Sequence, residues 1–107
     1  MISFTCIVQE GHVPEQIRPK LASELARIST SILGGDPSGV EVEFTEIPYG
    51  YGFRGGELST TSSVRGLIPP GCGQETRVQL MRAMSDMWIE VTRCSVDELT
   101  VSARDRQ

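Results

Sequence analysis

Val40-Glu41-Val42-Glu43-Phe44-Thr45-Glu46-Ile47-Pro48 decides the fold, because strands of the same kind recur around two helical stretches elsewhere in the chain. Val40, Val42 and Phe44 alternate with Glu41, Glu43 and Thr45, the period-two pattern of a strand with one apolar face. Upstream, Ile17, Leu21, Leu25, Ile28 and Ile32 recur at helical steps from Pro14 and stop at Gly34 and Gly35. Pro19 lies inside that pattern, so the regular helix is expected to begin there, after a looser turn. Further upstream, Ile2, Phe4, Cys6 and Val8 alternate with Ser3, Thr5 and Gln9 until the turn at Glu10 and Gly11. A helix joining two strands makes a right-handed crossover, so the two strands are expected to lie parallel in one sheet.

Downstream, Pro48 to Gly56 mixes four glycines with Tyr49, Tyr51 and Phe53 and reads as a loop, too irregular for a helix or a central strand. A hydroxyl-rich stretch from Ser59 to Ser63 leads into Val64-Arg65-Gly66-Leu67-Ile68, which Pro69-Pro70-Gly71 breaks. A second helix is predicted from about Gln74 to Arg93, with Leu80, Met84, Met87, Trp88 and Val91 on its buried side. Leu99, Val101 and Ala103, alternating with Thr100, Ser102 and Arg104, close the pattern. One plan is thus written twice, over about 1–48 and 61–107, with an offset of roughly sixty residues typical of duplicated units. The expected product is a single 1–107 domain of α+β class. It is a two-layer sandwich of two tandem βαβ units, with a four-stranded mixed sheet and both helices on one face. The other face carries Ser3, Thr5, Glu41, Glu43, Thr100 and Ser102, suited either to water or to a polar channel between subunits.

Composition narrows the function classes. Ten Lys and Arg against fourteen Asp and Glu give a net charge of −4, with no basic cluster to neutralise phosphates, so nucleic acid is not expected as a partner. No apolar run reaches the roughly eighteen residues of a membrane span, and the start of the chain lacks a basic segment followed by a signal core. A cytoplasmic protein without membrane contact is expected. Cys6, Cys72 and Cys94 are odd in number and form no C-x-x-C pair, which argues against a disulfide framework, a zinc site or any metal cofactor. Cys6 and Cys94 read as small apolar residues and Cys72, between two glycines, as the exposed thiol.

The order and spacing of these elements resemble the tautomerase superfamily, which includes 4-oxalocrotonate tautomerase, macrophage migration inhibitory factor and cis-3-chloroacrylic acid dehalogenase. The likeness is to the longer, fused members and covers nearly the whole chain. It rests on the strand from residue 1, the helix from Pro14 and the passage from Val40 to Pro48. Gly52-Phe53-Arg54-Gly55-Gly56 and the Ser62 to Gly66 strand before the second helix complete it. The resemblance implies a tautomerase-like fold and a homotrimer whose active sites lie at subunit boundaries near each amino terminus. It also implies a small-molecule ligand or substrate, no cofactor, and keto-enol isomerase chemistry in which an N-terminal proline moves the proton. This chain has Met1 in the proline's place, and Ile2 is large enough for the initiator methionine to be retained. Where the dehalogenase relatives carry carboxylate-binding arginines after the third strand, this sequence has Pro69-Pro70-Gly71-Cys72-Gly73. The relatives' acidic residue in a longer C-terminal segment has no counterpart before Gln107, so haloacid hydration is not expected.

Two functions stay open on the residues alone. One is a divergent tautomerase acting on a small enolisable carbonyl compound; the other is a noncatalytic trimeric binding or assembly protein. An α-amino group keeps a neutral fraction near pH 7, so Met1 can act as a weak base or form an imine, or it can simply begin the strand. Arg54 and Arg65 are placed to meet an anionic substrate, the alternative being a salt bridge to Glu46 or Glu57. Tyr51, with Tyr49 and Phe53, can wall a pocket or pack between subunits. The resemblance places Thr100 and Ser102 on the strand that faces a neighbouring subunit's pocket. His12, the only histidine, reads as a solvated turn residue.

Overall fold

The computed structural model describes residues 1–107. In chain order the elements are β1 (Ser3–Gln9), α1 (Arg18–Leu33), β2 (Glu41–Ile47), β3 (Phe53–Arg54), β4 (Glu57–Leu58), β5 (Ser62–Ile68), α2 (Gln74–Thr92) and β6 (Leu99–Asp105). The main sheet has the order β2-β1-β5-β6. β1 runs parallel to β2 and β5 parallel to β6, while β1 and β5 are antiparallel. This is the expected mixed sheet under two helices, and no helix is long and apolar enough to cross a membrane.

The register sorts side chains onto two faces. Phe4 lies beside Val42 and Gly66, and Cys6 beside Phe44 and Val64, on the face the helices cover. Leu21, Leu25 and Ile28 of α1 and Leu80, Met84, Met87 and Trp88 of α2 complete that core, as their helical spacing predicts. Trp88 is 1 % exposed and stacks on Phe44 with ring centroids 6.4 Å apart. Gly66 is required by proximity: a Cβ there would lie 2.9 Å from Cε1 of Phe4. The opposite face carries successive rows Glu41-Ser3-Leu67-Arg104, Glu43-Thr5-Arg65-Ser102 and Thr45-Ile7-Ser63-Thr100.

Local devices fix the ends of the elements. α1 begins at Arg18 with Pro19 in its first turn, after a single 3-10 turn over Glu15–Ile17, as the position of Pro19 predicts. Arg18 ties this corner down, donating from Nη2 to the Val13 carbonyl at 3.0 Å and to Glu46 at 2.6 Å, while its guanidinium sits over the Phe44 ring. The segment read as loop differs in one respect. Phe53–Arg54 and Glu57–Leu58 pair as a short ribbon whose turn residues Gly55 and Gly56 have φ of 61° and 82°. A two-residue hairpin with positive φ at both positions favours such a Gly-Gly pair, and strands this short carry no readable alternation. Before β6, Ser95 and Glu98 form a capping box. The Ser95 backbone N–H, its hydroxyl and the Thr60 hydroxyl hold the Glu98 carboxyl below its ordinary range.

Candidate functional site

At the amino end of β1, residue 1 borders a hollow of about 380 Å³ between the end of α1 and the start of β2, lined by Ile2, Thr30, Asp36, Val40 and Pro69 among others. Met1 itself is 71 % exposed in the single chain. A residue that the sequence reading passed over holds this end in place. Arg106 donates from Nε to the Met1 carbonyl at 3.2 Å and from Nη2 to Ser3 Oγ at 2.7 Å. Only the parallel pairing of β6 with β5 brings the end of the chain back to its start, and no spacing in the sequence signals it.

Arg65 and Ser102 are neighbours on the open face, with Thr5 on the other side of Arg65. The Arg65 guanidinium makes no ion pair and donates only to Ser63 Oγ at 3.3 Å. The three ion pairs of the chain are Arg18–Glu46, Arg27–Glu24 and Arg77–Asp105, so the salt bridges to Glu46 or Glu57 weighed for Arg54 and Arg65 do not form. Arg54, on the ribbon, reaches the Asp97 carbonyl at 3.4 Å and has no carboxylate partner. It borders a second hollow, of about 350 Å³, together with Gln9, Phe53, Ser59, Thr61 and Thr100.

These positions do not converge within one chain. From Met1 to Gln9, where the Arg54 hollow lies, the extended backbone covers roughly 26 Å, and from Met1 to Thr5, beside Arg65, roughly 13 Å. Tyr51 is 75 % exposed, Tyr49 60 % and Phe53 66 %, so the aromatics form an open patch rather than a closed wall.

The cysteines need one correction. Cys72 and Cys94 are both partly exposed, so Cys72 is not alone in that respect. Cys94 borders a polar hollow of about 210 Å³ that also holds His12 and Glu98. No group of three or more His, Cys, Asp or Glu side chains comes close enough to hold a metal ion. Cys6 is fully buried, and desolvation pushes its thiol up to about 12, which makes it inert as a nucleophile.

No family model matches the sequence, and no curated protein matches it. Solved structures do. The crystal structure of native Ps01740 superposes with a TM-score of 0.93 at 31 % identity, covering 97 % of this chain and 93 % of that one. A fused 4-OT described as a wild type asymmetric trimer gives 0.87 at 16 % identity, over 97 % and 85 % of the two chains. N1, a member of the cis-3-chloroacrylic acid dehalogenase family, gives 0.90 at 16 %, over 97 % and 74 %.

The chain belongs to the tautomerase superfamily. As a tautomerase-superfamily chain it has a methionine at residue 1, and among its arginines without an ion pair are Arg54 on the ribbon and Arg65 on the open sheet face. The loop Pro69 to Gly73 brings no cation toward residue 1; Pro69 alone of that loop lines the hollow there.

Proposed function

We propose that this chain is a divergent tautomerase-type isomerase that moves a proton between carbon and oxygen of a small enolisable carbonyl compound bearing an anionic group. Its sites form in a homotrimer, where the residue-1 end of one protomer meets the open sheet face of another. The observation that carries this reading is that Arg54, on the ribbon, and Arg65, on the open sheet face, are two of six arginines without an ion pair in a chain whose net charge is −4. An arginine fork without a carboxylate partner is suited to an anionic ligand. Because residue 1 lies far from Arg54 in its own chain, one small substrate can touch both only across a boundary between copies, and the fused 4-OT relative is a trimer. In the proposed step the Met1 amine takes the proton α to the carbonyl, the electron pair moves to give the enolate, and the proton returns at oxygen. Thr100 and Ser102 supply hydroxyls to the substrate, and Tyr51 a phenol, while Arg54 or Arg65 holds its anionic group.

The test is ketonisation of 2-hydroxymuconate and tautomerisation of phenylpyruvate by the wild type, the Arg65→Ala variant and an N-terminally acetylated sample, with intact mass confirming Met1. Turnover that falls on acetylation and on Arg65→Ala is the expected result. Turnover that survives acetylation removes Met1 from the mechanism. A second reading, a noncatalytic trimeric binding or assembly protein, draws on the exposed aromatics Tyr49, Tyr51 and Phe53. A trimer in solution that turns over neither substrate establishes it in place of the first.

A further inference from the structure

On the helix side of the sheet, at the end of β1 away from residue 1, lies a cluster of reactive groups that the isomerase reading does not use. His12, in the turn after β1, Cys94, just past α2, and Glu98, just before β6, line one polar hollow of about 210 Å³ together with Arg93. Parallel pairing sets Ser62 at the start of β5 beside Leu99 at the start of β6, and so brings Glu98 to this corner. Val13 and Trp88, both buried, supply the apolar side of the hollow. Cys72, the other partly exposed thiol, borders none of the hollows of the chain.

Each polar group here is held in place. Glu98 Oε1 accepts from the Ser95 N–H at 3.0 Å and Oε2 from the Thr60 hydroxyl at 3.2 Å, and with its carboxyl held low it is an anion near neutral pH, with His12 in Coulombic reach. Arg93 ends α2 with φ of 63°, the one non-glycine residue of the chain in the left-handed region, and its N–H donates to the Ile89 carbonyl at 2.8 Å. That turn carries Cys94 back against the core, where its N–H donates to Thr92 Oγ1 at 3.3 Å, and leaves the Arg93 side chain exposed and without an ion pair. Ser62 is 5 % exposed and its hydroxyl makes no hydrogen bond within the chain. Because every fully enclosed side-chain oxygen of the chain has a partner, that hydroxyl is open to the hollow it lines.

One small space therefore holds a thiol, a guanidinium without an ion pair, an ionised carboxylate and an open hydroxyl. We propose that it is a thiol-modification site, at which Cys94 exchanges with the disulfide of an α-amino acid, as in cystine, while Arg93 receives the carboxylate of the bound half and Glu98 its ammonium. Opposite charges on adjacent atoms are what an α-amino acid presents, and Ser62 adds a hydroxyl donor for the carboxylate. The Cys94 thiol passes its proton to His12, and the thiolate sulfur attacks the nearer sulfur of the disulfide. A new S–S bond forms to Cys94 as the old one breaks, and the other half leaves as a thiolate that takes up a proton. The Cys94 sulfur is oxidised and the released sulfur reduced, so the disulfide is the only oxidant. A volume of about 210 Å³ lies below that of ordinary ligand pockets and admits one amino-acid half while the leaving half points outward. This site is separate from the proposed isomerase and does not depend on it.

The experiment incubates the whole chain near neutral pH with cystine and, separately, with the uncharged bis-hydroxyethyl disulfide, quenches with acid, and follows each cysteine by peptide mass. With cystine, Cys94 should be modified about tenfold or more faster than Cys72, as charge-assisted contacts to the bound half imply, and with the uncharged reagent that preference should shrink. Glu98→Gln and Arg93→Asn should each slow the reaction of Cys94 with cystine several-fold and leave its reaction with the uncharged disulfide unchanged. Asparagine tolerates the left-handed backbone at residue 93. Thermal unfolding of each variant records that the fold is kept, and Arg93→Asn, at an exposed position, carries the test if Glu98→Gln fails to fold. Cystine that modifies Cys72 as fast as Cys94, or a Cys94 rate with cystine that Arg93→Asn leaves unchanged, would overturn the proposal. Turnover of the carbonyl substrates tests the isomerase alone, so the two readings fail independently.

Discussion

Along β1, adjacent residues have opposite surroundings. Phe4, Cys6 and Val8 are between 0 % and 2 % exposed beneath the helices, whereas Thr5 and its row-mate Arg65 face outward with no ion pair. Along β1 the inner face is wholly apolar, so its residues are chosen by volume, and the buried polar groups on that side are the small hydroxyls Ser62 and Ser29. The outer face keeps charged and hydroxyl groups whose hydrogen bonding is incomplete within the chain, and no requirement of the single chain explains Arg65. Tight apolar packing and an open polar surface are therefore separated by the alternation of one strand.

Substitutions that act on one face only break or sharpen this contrast. The largest effect is expected on the inner side: Trp88→Ala removes the most voluminous buried side chain and its stacking on Phe44, and should cost about 3–5 kcal/mol by urea unfolding. Gly66→Ala adds a single methyl against the Phe4 ring, and about 1–3 kcal/mol of destabilisation is expected from the same measurement. A neutral result there would mean that the two faces are less differently packed than the register indicates.

The next effect is pH-dependent and lies at the start of β6. Glu98 has its carboxyl lowered in the folded chain, first by the Ser95 backbone N–H and then by the Ser95 and Thr60 hydroxyls. A lowered folded value means stabilisation that is present above the unfolded value of about 4.3 and lost as pH falls through the folded one. The melting temperature should therefore drop below about pH 4.5, and Glu98→Gln should flatten that part of the profile. The smallest effect belongs to the outer face, where Arg65→Ala should change unfolding free energy by no more than about 0.5 kcal/mol while affecting ligand binding or turnover. A large stability loss from Arg65→Ala would show that the open face contributes to folding and would erase the contrast.

Most of the architecture is legible in the chain because period two and period 3.6 are local signals. Val40 to Thr45, Leu21 to Ile28 and Leu80 to Trp88 announce their elements and their buried sides. Pro19 even marks the start of α1 to within a residue. The ribbon at Phe53 to Leu58 escapes such reading, since two-residue strands are too short to have a period. The candidate site was only partly legible. Arg54 and Arg65 are visible as isolated cations, but Gln9 looks like any polar residue at a strand end, and Arg106 like a residue of a solvated tail.

Sequence alone determined which residues form strands and helices and which side of each is apolar, because those properties repeat within a few residues of chain. Tertiary structure decided that Arg106 lies across residue 1, that Gly52 seals the Gln9 carboxamide, and that Met1 and Arg54 stand at opposite ends of β1. Those relations join residues distant in sequence through strand pairing and loop closure, and no local pattern encodes such distances.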